Sequence, residues 1–337
     1  LGDLEGFRYT DLANSELLVR WYGPELRYCH AWRSWLCWDG RRWQVEDSGA
    51  VYHRAVDTVR LLYDVAAHID DAARRKSIAE WAIKSESRAR LDSMVALAAN
   101  HADVLVQPAE LDIDPWLLCV ENGVVDLRTG KRQDHNRDNL ITKLAPVKFV
   151  AGATAPRWTK FLVEVFEPHP DLVPFLQRAV GYSLTGVTRE ECLFVLHGTG
   201  RNGKGTAIKL IDNVLGDYAG TADFSTFVQR RDDSGPRDDI AHMAGKRFVS
   251  AQESREGAAL AESLLKWLTG GDKVRARRLY ENSWEFVPTH KIWLATNHKP
   301  MVRGTDPAIW SRIKLIPFDV SFEGREDRNL KDALTAE

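Results

Sequence analysis

The chain has 337 residues and a formal net charge of −2, and hydrophobic residues make up 44% of it. This length suits two or three domains, and the near-zero charge excludes a field over the whole molecule that would attract DNA or an anionic membrane. No run of about 18 apolar residues could cross a bilayer, and the first residues lack a signal-peptide pattern. Because an initiator methionine is also absent, we expect a piece of a longer protein.

The first recognisable element is a hairpin rich in tryptophan. The stretch WLCWDGRRWQV is predicted to form two short strands around Asp39-Gly40, a dipeptide typical of a tight two-residue turn. Its tryptophans indicate a small aromatic core. A platform for stacking bases beside Arg41 and Arg42 is the alternative.

A helical stretch and a second hairpin follow. Apolar residues recur at three- and four-residue steps from residue 51 to 99, and a second turn is predicted at Asn122-Gly123. We assign residues 1–150 to a helical and hairpin module that acts as a collar or in loading, and residues 151–190 to a helical connector.

From residue 191 onward, near-continuous apolar strands alternate with helices. This alternation predicts an α/β fold in which a parallel sheet is flanked by helices. We assign residues 191–320 to this core and expect residues 321–337 to begin a C-terminal helix that is cut short.

The four cysteines do not form a C-x-x-C pair, and a zinc site would lack a fourth ligand at usable spacing. We therefore expect reduced thiols, as in an intracellular protein of a bacterium or a phage-infected cell. They are Cys29, Cys37, Cys119 and Cys192.

A glycine-rich loop between an apolar strand and a helix is the strongest motif. Its pattern, G-x-x-x-x-G-K from Gly198 to Lys204, is that of a P-loop, in which backbone N–H groups and the lysine hold a triphosphate. A chance glycine turn is the alternative. The predicted ATP-binding residues are Gly198, Thr199, Gly200, Arg201, Asn202, Gly203, Lys204, Gly205 and Thr206.

Gly205 departs from the usual pattern, because a Ser or Thr normally follows the lysine and donates its hydroxyl to Mg²⁺. Thr206 lies one position later, turned by about 100° on a helix. We expect Thr206 and Glu253 to be the protein ligands of Mg²⁺, or water to complete the metal shell.

Two polar residues at predicted strand ends complete the candidate catalytic set. Glu253 follows the strand RFVSAQ and is predicted to be the acid that polarises the attacking water. Glu256 competes for this role, and an ordinary surface glutamate is the alternative. Asn297 stands at the end of the strand KIWLATN and is predicted to sense the γ-phosphate, although asparagine is also common in turns.

Arg312 stands between a short helix and a fourth strand, with no obvious partner in its own chain. In a ring of copies, such an arginine can stabilise the γ-phosphate bound to its neighbour. The alternative is an arginine at a helix end that bonds the carbonyl groups of the last turn.

Three basic residues, Lys273, Arg275 and Arg277, occupy alternate positions, so a strand would present them on one face. This spacing predicts contacts with the phosphates of single-stranded DNA. The alternative is an exposed strand whose charges prevent edge pairing. Tyr280 and Trp284 are expected in the core beneath it, although either could stack on a base.

The order of these motifs, including TGGDKVRARRLY from residue 269 to 280, resembles the superfamily 3 helicases of viruses, phages and plasmids. The likeness is greatest to the poxvirus- and phage-type primase-helicase family. It extends from about residue 191 to 318, and a weaker likeness covers residues 11–150. Ser311 departs from the family, whose members often carry a second arginine there.

The resemblance implies a P-loop, AAA+-like ATPase whose ring, a homo-hexamer, carries a basic hairpin in its channel. It implies that Lys204 binds phosphate, Glu253 is the catalytic acid, Asn297 is the sensor and Arg312 acts in trans. Lys273, Arg275 and Arg277 would then face single-stranded DNA.

We expect an ATP- and Mg²⁺-dependent DNA helicase motor that acts on single strands and forked duplexes, 3′ to 5′ by family analogy, with a fused or partner primase. Two other functions remain open. One is a small-molecule kinase with a P-loop, and the other is a replication initiator in which ATP only switches DNA binding.

Overall fold

The computed structural model describes residues 6–229, 237–253, 259–277, 283–304 and 306–337. The chain divides into two compact units. One comprises Leu1–Ile113 and His135–Lys143, and the other comprises Asp114–Asp134 and Leu144–Glu337.

The described part of the first unit combines helices with a small antiparallel sheet of strand order β1-β2-β3. Its elements are α1 (Asp11–Tyr22), β1 (Leu26–Cys29), β2 (Ser34–Trp38), β3 (Trp43–Val45), α2 (Ala50–Ala67), α3 (Ala72–Ser85) and α4 (Arg88–Ala98). The helical prediction for residues 51–99 is thus confirmed. Thr10 and Asp71 cap α1 and α3 by accepting backbone N–H groups.

The tryptophan-rich hairpin is present, but its loop spans residues 39–42 rather than two residues, because Trp38 pairs with Trp43. Asp39 Oδ1 accepts the N–H groups of Arg41 and Arg42, and Gly40 has a φ of +91°. Trp43 is fully buried and donates its indole N–H to Arg137 O at 2.8 Å. This burial supports the aromatic core over a stacking platform at that residue.

The second unit begins with a three-stranded antiparallel sheet of order β4-β5-β6. Its strands are β4 (Leu117–Val120), β5 (Gly123–Asp126) and β6 (Lys131–Gln133). Leu118, Val120 and Val125 share a hydrophobic cluster with Phe194 and Trp293. The expected boundary at residue 150 therefore differs from the structural division, since these strands pack in the core of the second unit.

The centre of the second unit is a parallel sheet flanked by helices, as the sequence predicts. Its remaining elements are α5 (Pro156–Val165), α6 (Leu172–Leu184), β7 (Leu193–His197), α7 (Lys204–Leu215), β8 (Ala219–Thr221), α8 (Asp238–Ala241), β9 (Phe248–Gln252), α9 (Glu262–Thr269), β10 (Val274–Ala276), β11 (Trp284–Phe286), β12 (Lys291–Thr296), α10 (Pro307–Arg312), β13 (Ile313–Pro317) and α11 (Leu330–Ala336).

Five parallel strands form this sheet in the order β13-β7-β12-β9-β8. The strands β7, β9 and β12 are buried along almost their whole length, which explains their unbroken apolar sequences. In the register, His197 lies opposite both Thr296 and Pro317, and Gln252 lies opposite Ala295. The carboxyl ends of these strands therefore lie level at one edge of the sheet.

Candidate functional site

The glycine loop, residues 198–203, connects the end of β7 to the start of α7. Its backbone has positive φ at Gly200 (+107°), Arg201 (+48°) and Gly203 (+88°). At Gly203 a Cβ atom would lie 3.0–3.1 Å from side-chain atoms of Phe161 and Val165, so α5 packs directly against the loop. The sequence needs glycine there for both conformation and space.

Lys204 is the first residue of α7, and its side chain is buried in the loop with 6% of the residue exposed. Its ammonium group donates to Gly198 O at 2.6 Å and to Asn202 Oδ1 at 3.0 Å. Burial lowers the pKa of Lys204, and the charge of Glu253 opposes this shift. The lysine and the acid predicted to work together therefore interact electrostatically.

The first turn of α7 adds backbone donors to the same edge. The N–H groups of Lys204, Gly205 and Thr206 lie before the first hydrogen bond of the helix, in which Ala207 N–H donates to Gly203 O. Such N–H groups, with the helix dipole, favour an anion. Gly205 is exposed with open space around its Cβ position, and Thr206 is half-buried.

Glu253 follows β9 at the same edge of the sheet. Its backbone N–H donates to Ala295 O, and its carboxylate Oε2 accepts the backbone N–H groups of Asn297 (3.0 Å) and His298 (3.2 Å). The structure thus brings Glu253 and Asn297 together through the backbone of Asn297, whose side chain is exposed. Glu256, the competing acid, lies outside the described residues.

Metal binding was predicted for Thr206 and Glu253. The described residues contain no group of three or more His, Cys, Asp or Glu side chains that could hold a metal ion. A hydroxyl and a carboxylate are nevertheless oxygen ligands of the kind that Mg²⁺ prefers, with water completing the shell.

Arg312 has partners in its own chain, so the expectation of none is wrong. Its guanidinium pairs with the carboxylate of Glu191 and donates to Ala308 O at 3.0 Å in the last turn of α10. Sequence reasoning missed Glu191 because 121 positions separate the pair. Arg312 precedes β13, whose first residue lies opposite Leu193, so this pair lies at the amino edge of the sheet.

The basic residues Lys273, Arg275 and Arg277 are exposed, and they alternate with the buried Val274 and Ala276. Strand β10 pairs antiparallel with β11, and Arg275 donates to Ser283 Oγ at 2.8 Å. The predicted one-sided presentation of charge is therefore observed. Trp284 packs against the core as expected, whereas Tyr280 lies outside the described residues.

Sequence reasoning also missed a contact between the glycine loop and the segment after β13. Phe322 N donates to Arg201 O at 2.8 Å, and the Arg201 guanidinium pairs with Glu323 at 2.8 Å and Glu326 at 3.5 Å. The buried amide of Asn202 donates to Phe318 O at 2.9 Å. The segment after β13 thus holds the glycine loop in place, although its residues lie more than a hundred positions later in the chain.

Comparison with known families gives matches to two parts of the chain. Residues 15–167 match the family described as "D5 N terminal like". Residues 196–312 match a "Family of unknown function (DUF5906)", a segment that runs from the end of β7 to Arg312.

Curated relatives come from large DNA viruses. "Putative helicase L207/L206" of Acanthamoeba polyphaga mimivirus is 29% identical over 225 residues, which cover 64% of this chain and 23% of that protein. "Putative primase C962R" of African swine fever virus is 28% identical over 260 residues, which cover 73% of this chain and 27% of that protein. The chain spans about a quarter of the length of these relatives.

Among solved structures, the apo C-terminal region of NrS-1 aligns with 97% of this chain at a TM-score of 0.57. The alignment covers 66% of that structure at 10% sequence identity, so it establishes a shared fold. The fold and site define an α/β protein with a glycine loop at the carboxyl edge of a parallel sheet. The chain is similar to viral proteins named as putative helicases and primases, and the resemblance to the primase-helicase family is confirmed.

In the described part of the chain, helices that combine the length and apolar character needed to span a membrane do not occur.

Proposed function

We propose that this chain is the motor of a DNA helicase, a P-loop AAA+-like ATPase that translocates on single-stranded DNA during replication of a phage, plasmid or other mobile element. One observation carries the proposal: the glycine loop, Glu253 and Asn297 meet at one edge of the parallel sheet. In open α/β sheets, ligands bind outside the carboxyl ends of the strands.

The triphosphate is proposed to lie against the glycine loop and the first turn of α7. Lys204 supplies a positive charge to the β- and γ-phosphates, and the N–H groups of the loop and of Gly205 and Thr206 donate to phosphate oxygens. Burial of Lys204 strengthens its attraction to the phosphates, because the local dielectric constant is lower than that of water.

Hydrolysis needs an acid that orients the attacking water, and Glu253 is proposed for this role. Two backbone N–H groups hold its Oε2 atom in place, so the carboxylate is fixed before a substrate binds. Asn297 would sense the γ-phosphate with its side-chain amide. Thr206 and Glu253 would hold Mg²⁺, which when bound neutralises phosphate charge.

Arg312 is proposed to act on the triphosphate of a neighbouring copy. The five residues of β13 separate it from the carboxyl edge, and they span roughly 16 Å at a rise of about 3.3 Å per residue. Arg312 is therefore far from its own glycine loop, which supports an active site shared between copies in a ring, as the family resemblance implies for a homo-hexamer.

The basic face of β10 is proposed to contact the phosphates of single-stranded DNA, and movement of this hairpin would follow ATP hydrolysis. Direction 3′ to 5′ follows from the family resemblance. Relatives named as helicase and primase support a role in replication, with a primase fused to the chain or bound as a partner.

The test measures ATP hydrolysis with and without single-stranded DNA, together with unwinding of a forked duplex. We expect Lys204→Ala to reduce turnover at least about a hundredfold, the loss typical of removing one preorganised charge-stabilising group. Lys209→Ala is the matched control, since Lys209 is an exposed lysine on the same helix α7 that pairs with Asp212.

Unchanged turnover in Lys204→Ala would refute the ATPase assignment. Turnover without any response to DNA, but with transfer of phosphate to a small acceptor, would favour the kinase. Hydrolysis with duplex binding and no unwinding would favour the initiator.

A further inference from the structure

Asn202 is a buried polar residue, 3% exposed, whose side chain uses both ends of its amide. Its Nδ2 group donates to Phe318 O at 2.9 Å, and its Oδ1 atom accepts from the ammonium group of Lys204 at 3.0 Å. Phe318 in turn donates its N–H to His197 O at 2.7 Å. A chain of hydrogen bonds therefore connects Lys204 to the residue that follows β13.

Gly198 makes this arrangement possible. A Cβ atom at Gly198 would collide with Asn202 Nδ2 and with Phe318 O. The absence of a side chain at Gly198 therefore lets Asn202 approach Phe318, whereas its absence at Gly203 lets α5 pack against the loop. A buried amide that satisfies partners on both sides is positioned by the fold rather than by solvent.

The hydrogen bonds of Lys204 define what Asn202 can contribute. An ammonium group has three N–H donors, and within the described part of the chain two of them are used, by Gly198 O and Asn202 Oδ1. Two fixed acceptors set the direction of the third donor. A donor oriented in advance loses less conformational entropy when it binds a ligand.

We infer that Asn202 is a positioning residue for phosphate binding, which holds the Lys204 ammonium with one N–H directed at the nucleotide and anchors it to Phe318. This inference rests on the proposed function, since it names how the nucleotide site of that function is preorganised. Asn202 acts through Lys204 and need not touch the phosphates itself.

The first measurement is the affinity for ATP and ADP by fluorescence of a labelled analogue. We expect Asn202→Ala to weaken binding of both nucleotides about tenfold, because the loss of one charge-assisted hydrogen bond is of this order. Binding as tight as in the wild type would overturn the inference.

Asn122→Ala is the matched control. Asn122 also bridges two backbone segments in the second unit, donating to Phe149 O and accepting Phe149 N–H, both at 2.9 Å. Both variants lose a bridging amide, but only Asn202 contacts Lys204. An equal loss of affinity in Asn122→Ala would assign the effect to general loosening and overturn the positioning role.

A double-mutant cycle gives a readout that a purely structural role would not move. If Asn202 acts through Lys204, Asn202→Ala added to Lys204→Ala should lower nucleotide affinity by less than about twofold further. A full additional tenfold loss would show that Asn202 acts independently of Lys204.

If Asn202→Ala fails to fold, Asn202→Asp carries the test. The carboxylate would hold the ammonium as an ion pair and oppose the phosphates, so affinity should fall at least tenfold at pH 8 and recover as the carboxylate is protonated at lower pH. Wild-type affinity at pH 8 overturns the inference. Failure of the wild type itself to bind nucleotide would instead refute the proposed function, along with everything built on it.

Discussion

The two edges of the parallel sheet each bury a lysine, and the lysines differ in how their N–H donors are used. At the carboxyl edge, Lys204 donates to two oxygen atoms of its own loop. At the amino edge, Lys291 is 1% exposed and donates to the carbonyl groups of Thr185, Val187 and Thr289. Its ammonium also lies 4.8 Å from the centre of the Tyr182 ring.

At the amino edge, buried basic side chains thus donate hydrogen bonds to carbonyl groups, several of which lie at or just after the end of α6. Arg247 is buried beside Lys291 and donates to Leu184 O and Leu117 O, both at 2.7 Å. Burial, followed by the charge of Arg247, lowers the pKa of Lys291 far below its usual value. A lysine with three protein acceptors stabilises the fold, whereas a lysine with a donor to spare can bind a ligand.

The largest expected effect concerns Arg312, which we propose acts from the amino edge of one copy on the carboxyl edge of the next. We expect Arg312→Ala to lower ATP turnover about a thousandfold while nucleotide binding stays intact, since arginines of this kind contribute roughly 10³ to 10⁵ in rate. Arg189→Ala, at an exposed arginine two positions from Glu191, is the control.

Mixing the Arg312→Ala and Lys204→Ala proteins should restore part of the turnover. At some interfaces between copies, the intact Lys204 of one variant would then face the intact Arg312 of the other. Turnover that stays at the level of the separate variants would argue against a shared site. Wild-type turnover by Arg312→Ala alone would remove the residue from catalysis.

The second prediction separates the two lysines directly. Lys291→Met should lower the free energy of unfolding by about 3 kcal/mol, because it leaves buried carbonyl groups without a donor. Lys204→Met should cost less, about 1 kcal/mol, because Lys204 donates to two acceptors rather than three and its loop borders solvent, where water can replace the lost donor. Urea titration followed by tryptophan fluorescence measures both, and a greater loss in Lys204→Met would contradict the distinction.

The third prediction uses the neighbour of Lys291. His290 is fully buried, and this burial, aided by the charge of Lys291, lowers its pKa from 6.5 to about 4. The unfolded chain therefore binds a proton more readily than the folded chain between these values, so stability falls as pH falls through this window. Between pH 7 and pH 5 the loss should be roughly 2 kcal/mol.

His290→Gln removes this titration, and the measurement is the difference in unfolding free energy between pH 7 and pH 5 in the two proteins. The variant should show a dependence that is smaller by that amount. Equal pH dependence would mean that folding does not lower the pKa of His290.

These predictions depend on features that local sequence patterns revealed only in part. The sheet was predictable because strands buried on both faces, such as β7 and β12, have unbroken apolar sequences. The glycine loop was predictable because its backbone conformation restricts residue type. Neither argument depends on which distant residues come into contact.

What the sequence concealed depends on distant contacts. The polar residues His290 and Lys291, at the start of a strand, would ordinarily be exposed. The carbonyl groups after α6 explain the burial of Lys291, because they accept its N–H groups. The hairpin of β4 and β5 has short apolar strands, LLCV and GVVD, and their pattern does not specify which core they join. The same holds for Glu191 and Arg312, since an ion pair across 121 positions leaves no local signal.

The smallest expected effect concerns the exposed cations of β10, which differ from the buried lysines because solvent screens them. If Arg275 contacts one DNA phosphate, Arg275→Gln should reduce the slope of log affinity against log salt for a single strand by about 0.7 per copy. Lys131→Gln is the matched control, since Lys131 is an exposed basic residue on the short strand β6. An unchanged slope in Arg275→Gln, or an equal change in both variants, would mean that the β10 face is charged to prevent edge pairing rather than to bind DNA.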